Sequence, residues 1–106
     1  MVFDEKVFNQ MAGKAVVEHL SNLLGPTSVK VINLYLKRYD TDLRRICEDP
    51  QKASNALHIV FEDGAAFLEK EIVRAAYEIF NLTPAEFDSL HDAIQRLRNL
   101  AEDLER

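Results

Sequence analysis

A chain of 106 residues, 47% hydrophobic and 29% charged, has the size of one domain and the composition of an ordinary globular protein, which excludes a disordered chain. A formal net charge of −5 with a pI near 5.1 argues against a general nucleic-acid binder, because neutralising phosphates calls for a basic surface. The lone Cys47 rules out an intrachain disulfide, and no apolar run approaches the roughly 20 residues that span a bilayer.

The opening MVFDEKVFNQ lacks a basic region followed by an apolar run, so no signal peptide is expected. With a single cysteine this points to a reducing, cytoplasmic setting. The first helix is expected over residues 4–24. There Val7, Phe8, Met11, Ala12, Ala15, Val16, Leu20, Leu23 and Leu24 form a broad apolar band at helical spacing. Asp4 and Glu5 stand in its opening turn, where negative charge suits the macrodipole. Gly13 costs about 1 kcal/mol relative to alanine inside a helix, so its presence implies close packing against a neighbouring helix. Gly25-Pro26 ends the helix, with Gly25 as C-cap.

A shorter helix follows over 28–39. The stretch VKVIN is β-branched and suits a strand equally well. Ile32, Tyr35, Leu36 and Tyr39 nevertheless keep a helical period, and a lone strand has nothing to pair with. Residues 40–49 form a connector with a short helical turn capped by Thr41 or Asp42, pinned to the core by Leu43 and Ile46. The centre of the core is a pair of helices over 49–82, joined at Gly64. Asp49 is the N-cap of the first and Pro50 its first residue, where a missing N–H costs nothing. Ala53, Ala56, Leu57, Val60 and Phe61 share one face; Phe67, Leu68, Ile72, Ala75, Ala76, Ile79 and Phe80 resume it after Gly64. Glu69, Lys70 and Glu71 read as a solvated face.

Thr83-Pro84-Ala85-Glu86 has the form of a capping box with proline at the first position, opening a last helix over 84–105. Phe87, Leu90, Ile94, Leu97, Ala101 and Leu104 recur at spacings of three and four as a heptad seam, widened by Ala93 and Leu100. The rest of that helix is charged, Asp88, Asp92, Arg96 and Arg98 included. Such a stripe packs either within its own bundle or against a second chain. An apolar Leu104 near the terminus gains little unless something covers it, so a homodimer through these six residues is expected.

Signals for chemistry are sparse. His19, His58 and His91 share no ligand spacing, and Asp88 with His91 is only one acidic-x-x-His unit where a bundle metal site uses two; no metal and no cofactor are expected. His58 reads as a buried, hydrogen-bonded histidine or as a partner of Glu62 one turn on. Cys47 follows Arg44 and Arg45, which would favour the thiolate, but a half-buried connector cysteine is the plainer reading. The three glycines are scattered, and no phosphate loop or nucleophile motif occurs. The one concentrated charge feature is basic: Lys30, Lys37, Arg38, Arg44 and Arg45, with Tyr35 and Tyr39 interleaved. Lys37, Arg38, Arg44 and Arg45 would suit an anionic partner. Equally, they balance the acids Glu48, Asp49, Glu62 and Asp63.

Leu23-Leu24-Gly25, Arg38-Tyr39, Asp42-Leu43 with Ile46, Phe61 to Ala65, and Leu68-Glu69 with Ile72 follow one another in an order that resembles the archaeal NitrOD-type output domains, a small helical family without a known function. The likeness covers residues 15–82 and leaves out most of the heptad helix, which reads as an extension. It implies a standalone version of a module otherwise attached to archaeal signalling proteins, and it brings no catalytic residues. The expected fold is all-α, one domain over 1–106 built as a compact bundle of four main helices plus a short connector helix. The expected function is a non-enzymatic interaction or signal-output module that self-associates and binds another signalling or regulatory protein. The alternative is nucleic-acid or anionic-ligand binding through the basic patch.

Overall fold

Polar caps set most of the helix boundaries. Asp4 accepts the Lys6 and Val7 amides at 3.0 and 3.2 Å and opens α1 (Glu5–Leu24). Gly25, at φ +93°, closes that helix by donating to the Ser21 carbonyl, and α2 (Pro26–Leu36) follows at once. The computed structural model describes residues 3–104 and is all-α, with no strand among them. Its remaining helices are α3 (Pro50–Phe61), α4 (Gly64–Glu78) and α5 (Leu90–Leu104), with two 3-10 turns at Lys37–Tyr39 and Leu43–Arg45. The helical reading of the VKVIN stretch holds. The all-α bundle is as expected; it has five α-helices, the central pair counting as two, and the connector's short turn is 3-10.

The ends of α2 and α4 use the same device. Asp40 at φ 59° and Asn81 at φ 58° adopt the left-handed conformation. The amides that follow reach back five residues, Thr41 to Leu36 and Leu82 to Tyr77, satisfying carbonyls the helix would leave unpaired. Between α3 and α4 the reversal falls on Glu62, at φ 48° and ψ −117°, rather than on Gly64, which is the first residue of α4. Asp49 caps α3 by accepting from the Lys52 amide at 3.1 Å, with Pro50 in the first position. In the connector the cap is Asp42, whose side chain accepts the Arg45 amide at 3.0 Å.

The last helix starts later than expected. Residues 83–89 are not helical, and Thr83 caps nothing; Ser89 is the cap, its Oγ accepting from the Asp92 amide at 3.1 Å. Starting at Leu90 leaves an extended crossing along which both Leu82 and Phe87 lean on the core.

One core joins all five helices. Phe8, Ala12, Val16 and Leu20, spaced four apart, are the buried line of α1, and they meet Ile72 and Val73 of α4 and Leu43, Ile46 and Cys47 of the connector. Leu57 of α3 and Leu90, Ile94 and Leu97 of α5 close the other side. Gly13 is buried where the connector crosses α1: a Cβ there would overlap the Arg44 carbonyl oxygen and stand 2.9 Å from its carbon. The close approach expected at this glycine is therefore real, and its partner is the connector backbone rather than a helix. Asn33 of α2 holds the connector from the other side, accepting the Leu43 amide at 2.9 Å.

Arg98 of α5 ties three elements together. It donates to the Cys47 carbonyl at 2.7 Å and to Asn9 at 3.2 Å, pairs with Glu5 at 3.2 Å, and lies over the Phe8 ring at 5.2 Å. Tyr77 of α4 donates to the Ala93 carbonyl at 2.8 Å and fixes α5 from its other flank.

Candidate functional site

Glu69 and Glu71 are not on a solvated face. They are 8% and 7% exposed, because α4 is packed by α1 on one side and by α3 and α5 on the others. Each flank therefore carries a buried carboxylate, and each meets a histidine from the neighbouring helix. On the α3 flank, Ser54 donates to Glu69 Oε2 at 2.6 Å and His58 Nε2 lies 3.0 Å from Glu69 Oε1. On the α1 flank, His19 Nε2 stands 3.6 Å from Glu71 Oε2, beyond hydrogen-bond reach, and both atoms are buried without a partner. Arg74 holds the other Glu71 oxygen at 3.2 Å.

The Glu69–His58 pair opens onto an open cleft of about 810 Å³ between α4 and the 83–89 stretch. Ala66, Lys70 and Arg74 form its α4 wall, spaced four apart so that they stack on one helical face. The opposite wall runs through Pro84, Glu86, Phe87 and Asp88. His58 therefore meets Glu69 across the helix pair rather than Glu62 along its own helix. Sequence periodicity treated Glu69 as solvated; the available signal was Ser54 and His58, one turn apart on the same side of α3.

What the arrangement can do follows from its hydrogen bonds. In a nucleophilic triad the serine donates to the histidine and the carboxylate orients the ring. Here both Ser54 and His58 point to the same carboxylate, so the serine–histidine contact of such a triad is not made.

The other expected sites are placed as follows. Of the heptad residues, Leu90, Ile94, Leu97 and Ala101 are 3% exposed or less within their own chain. Phe87 packs partly against the same core. Those five side chains are spent inside the bundle, because α5 faces α3 and α4. Leu100 and Leu104 remain outside. The basic residues are divided. Arg44 and Arg45 share a small groove with Lys14, and Arg45 is paired with Glu48 at 3.0 Å. Arg38 lies over the Tyr35 ring at 5.4 Å, and Lys37 is exposed near it.

Cys47 is fully buried, and burial pushes its thiol up to about 12. The cation beside it is Arg98, which pulls in the opposite direction but does not prevail. Desolvation thus disfavours a reactive thiolate at this position. His91 and Asp88 are exposed, and among the described residues no three His, Cys, Asp or Glu side chains are grouped to hold a metal ion. No helix among the described residues is long and apolar enough to cross a membrane.

A surface that sequence reasoning passed over lies on α2 and α3. Val31, Leu34, Tyr35, Tyr39 and Ile59 are all exposed, Leu34 to 63% and Ile59 to 59%. Val31, Leu34 and Tyr35 share one side of α2, Tyr35 meets Phe61 edge-on at 6.4 Å, and Tyr39 and Ile59 line one groove. Compared with known protein families, with curated proteins and with solved structures, the chain matches none.

Proposed function

We propose that the chain is a non-enzymatic interaction module that self-associates through α2 and α3. The observation that carries this reading is the run of exposed Val31, Leu34, Tyr35, Tyr39 and Ile59. Large apolar side chains gathered in one patch mark interaction surfaces on small proteins, whereas scattered ones need no explanation. Aromatic residues beside a cation, here Tyr35 under Arg38, are the composition favoured at such interfaces. A two-fold pairing requires one face to complement itself. Lys30, Lys37 and Arg38 and, after α3, Glu62 and Asp63 are all exposed, so charges of both signs are available to opposed copies.

The homodimer expected from the sequence is retained and moved to a different face. Recruitment of another signalling or regulatory protein, in a cytoplasmic setting, is the wider role we assign; the resemblance to the NitrOD-type output domains supports it. The absence of a serine–histidine contact at Ser54 and the burial of Cys47 favour binding over catalysis.

Multi-angle light scattering across a micromolar to millimolar concentration series tests the reading. Wild-type protein is expected to reach twice the chain mass, and Leu34→Asp with Ile59→Asp to hold it at the single-chain mass. A wild-type protein that stays at the single-chain mass throughout overturns it.

A further inference from the structure

The cleft beside α4 has the build of a small-molecule site, and we propose that it binds a small anion that also carries hydroxyl or amine donors. Its volume, about 810 Å³, falls within the ~300–1,000 Å³ of ordinary ligand pockets. Its walls carry opposite charges that do not neutralise one another. Lys70, Glu86 and Asp88 have no ion-pair partner among the described residues, and Arg74 commits one nitrogen to Glu71. Lys70 and Arg74 stand one turn apart, about 6 Å along the helix axis, a spacing that brackets one carboxylate or phosphate group.

The second observation is Glu69. Burying a carboxylate costs several kcal/mol before its hydrogen bonds offset it, and hydrophobic residues of similar volume would serve the core as well or better. Its two bonds fix what the cleft presents. A carboxylate only accepts, so His58 Nε2 carries the proton that meets Glu69 Oε1, and whenever the ring holds a single proton its Nδ1 keeps a lone pair. The His58 side chain is 53% exposed. It thus offers the cleft an acceptor held in one tautomer, and Glu86 and Asp88 offer two more acceptors across the gap. Cations on one wall and acceptors on the others match a ligand with an acid group at one end and O–H or N–H donors at the other. Nucleoside phosphates, sugar phosphates and amino acids all have this chemistry.

The test is an amide chemical-shift titration of the whole chain with adenosine 5′-monophosphate, glucose 6-phosphate, L-aspartate and inorganic phosphate in separate arms. At least one of the first three is expected to shift the amides of Lys70, Arg74 and residues 85–88 saturably. Affinity is expected to fall about tenfold or more in Lys70→Glu and in His58→Ala, a loss of ~1.4 kcal/mol or more. Both side chains are exposed, and an unchanged circular dichroism spectrum shows that the fold survives. Inorganic phosphate, which has no hydroxyl- or amine-bearing end apart from its acid group, is expected to bind at least as weakly as those variants bind the best probe. The proposal is overturned if no probe gives a saturable shift at the cleft at millimolar concentration, if phosphate binds as tightly as the best probe, or if Lys70→Glu leaves the affinity unchanged. The cleft uses none of the side chains of the self-association patch, so the two proposals stand or fall separately.

Discussion

Replacing Gly13 by alanine should destabilise the protein, although the same change in an ordinary helix would stabilise it. Alanine gains about 1 kcal/mol over glycine in a helix interior, and it restricts the unfolded chain besides. Against this, the new Cβ overlaps the Arg44 carbonyl oxygen and lies 2.9 Å from its carbon, where ordinary contact begins at 3.4 Å. The obstacle is backbone, so no side chain can swing aside. The connector would have to lift, yet Leu43, Ile46 and Cys47 anchor it at 0% exposure and Asn33 holds its amide. Overpacking a close-packed site costs typically ~1–3 kcal/mol and sometimes more; backbone overlap at an anchored turn belongs at or above the upper end. Net destabilisation is then about 2 kcal/mol, lowering the melting temperature by roughly 10 °C in a domain of this size. Thermal and urea unfolding followed by circular dichroism measure it. Gly64→Ala is the control: the nearest atom to its Cβ is Phe61 Cβ at 3.8 Å, and a gain of about 0.5 kcal/mol is expected. Gly13→Ala at or above wild-type stability would refute the packing of the connector on α1.

Arg98→Ala removes the bonds to Cys47 and Asn9, the Glu5 pair and the Phe8 contact; a loss of roughly 2 kcal/mol is expected in urea unfolding. Glu62→Gly relieves a side chain held at φ 48° and ψ −117° and should raise stability by about 1 kcal/mol, read as a higher melting temperature. Because burial holds the Cys47 thiol protonated up to about 12, its contribution is whole below the unfolded-state value near 9 and is lost as pH climbs toward 12. Stability should therefore fall over that window more steeply than in Cys47→Ala, by roughly 1 kcal/mol per pH unit. The same burial predicts alkylation of Cys47 by iodoacetamide only at the rate of unfolding, whereas alkylation as fast as a free thiol would contradict it.

What could be read from the residue order was local. Asp49 caps where its place before Pro50 indicated, Asp42 is one of the two caps the connector offered, Asp4 caps the helix it was read as part of, and the buried line of α1 is part of the expected band. That band was drawn too wide, since Val7, Met11 and Leu23 are each 46% exposed; spacing shows which residues share a face, but the width of the covering layer decides how many are buried. The α5 boundary was ambiguous in principle. Thr83-x-x-Glu86 and Ser89-x-x-Asp92 both have capping form, and choosing between them depends on where Leu82 and Phe87 must reach the core. Arg98 looked like one more charge on a solvated helix, because its partners lie 51 and 89 residues earlier in the chain. Glu69 misled for the same reason: a polar residue is buried where distant donors meet it, and periodicity carries no record of them.

Isotope-filtered NOE spectra on a mixture of labelled and unlabelled chains test most directly whether α2 and α3 form the contact between copies. The account predicts intermolecular NOEs among the Val31, Leu34 and Ile59 methyls and the Tyr35 and Tyr39 rings, with the Leu90, Ile94 and Leu97 methyls showing only intramolecular ones. Intermolecular NOEs confined to Leu100 and Leu104 of α5, or none at concentrations where scattering shows a dimer, would contradict it.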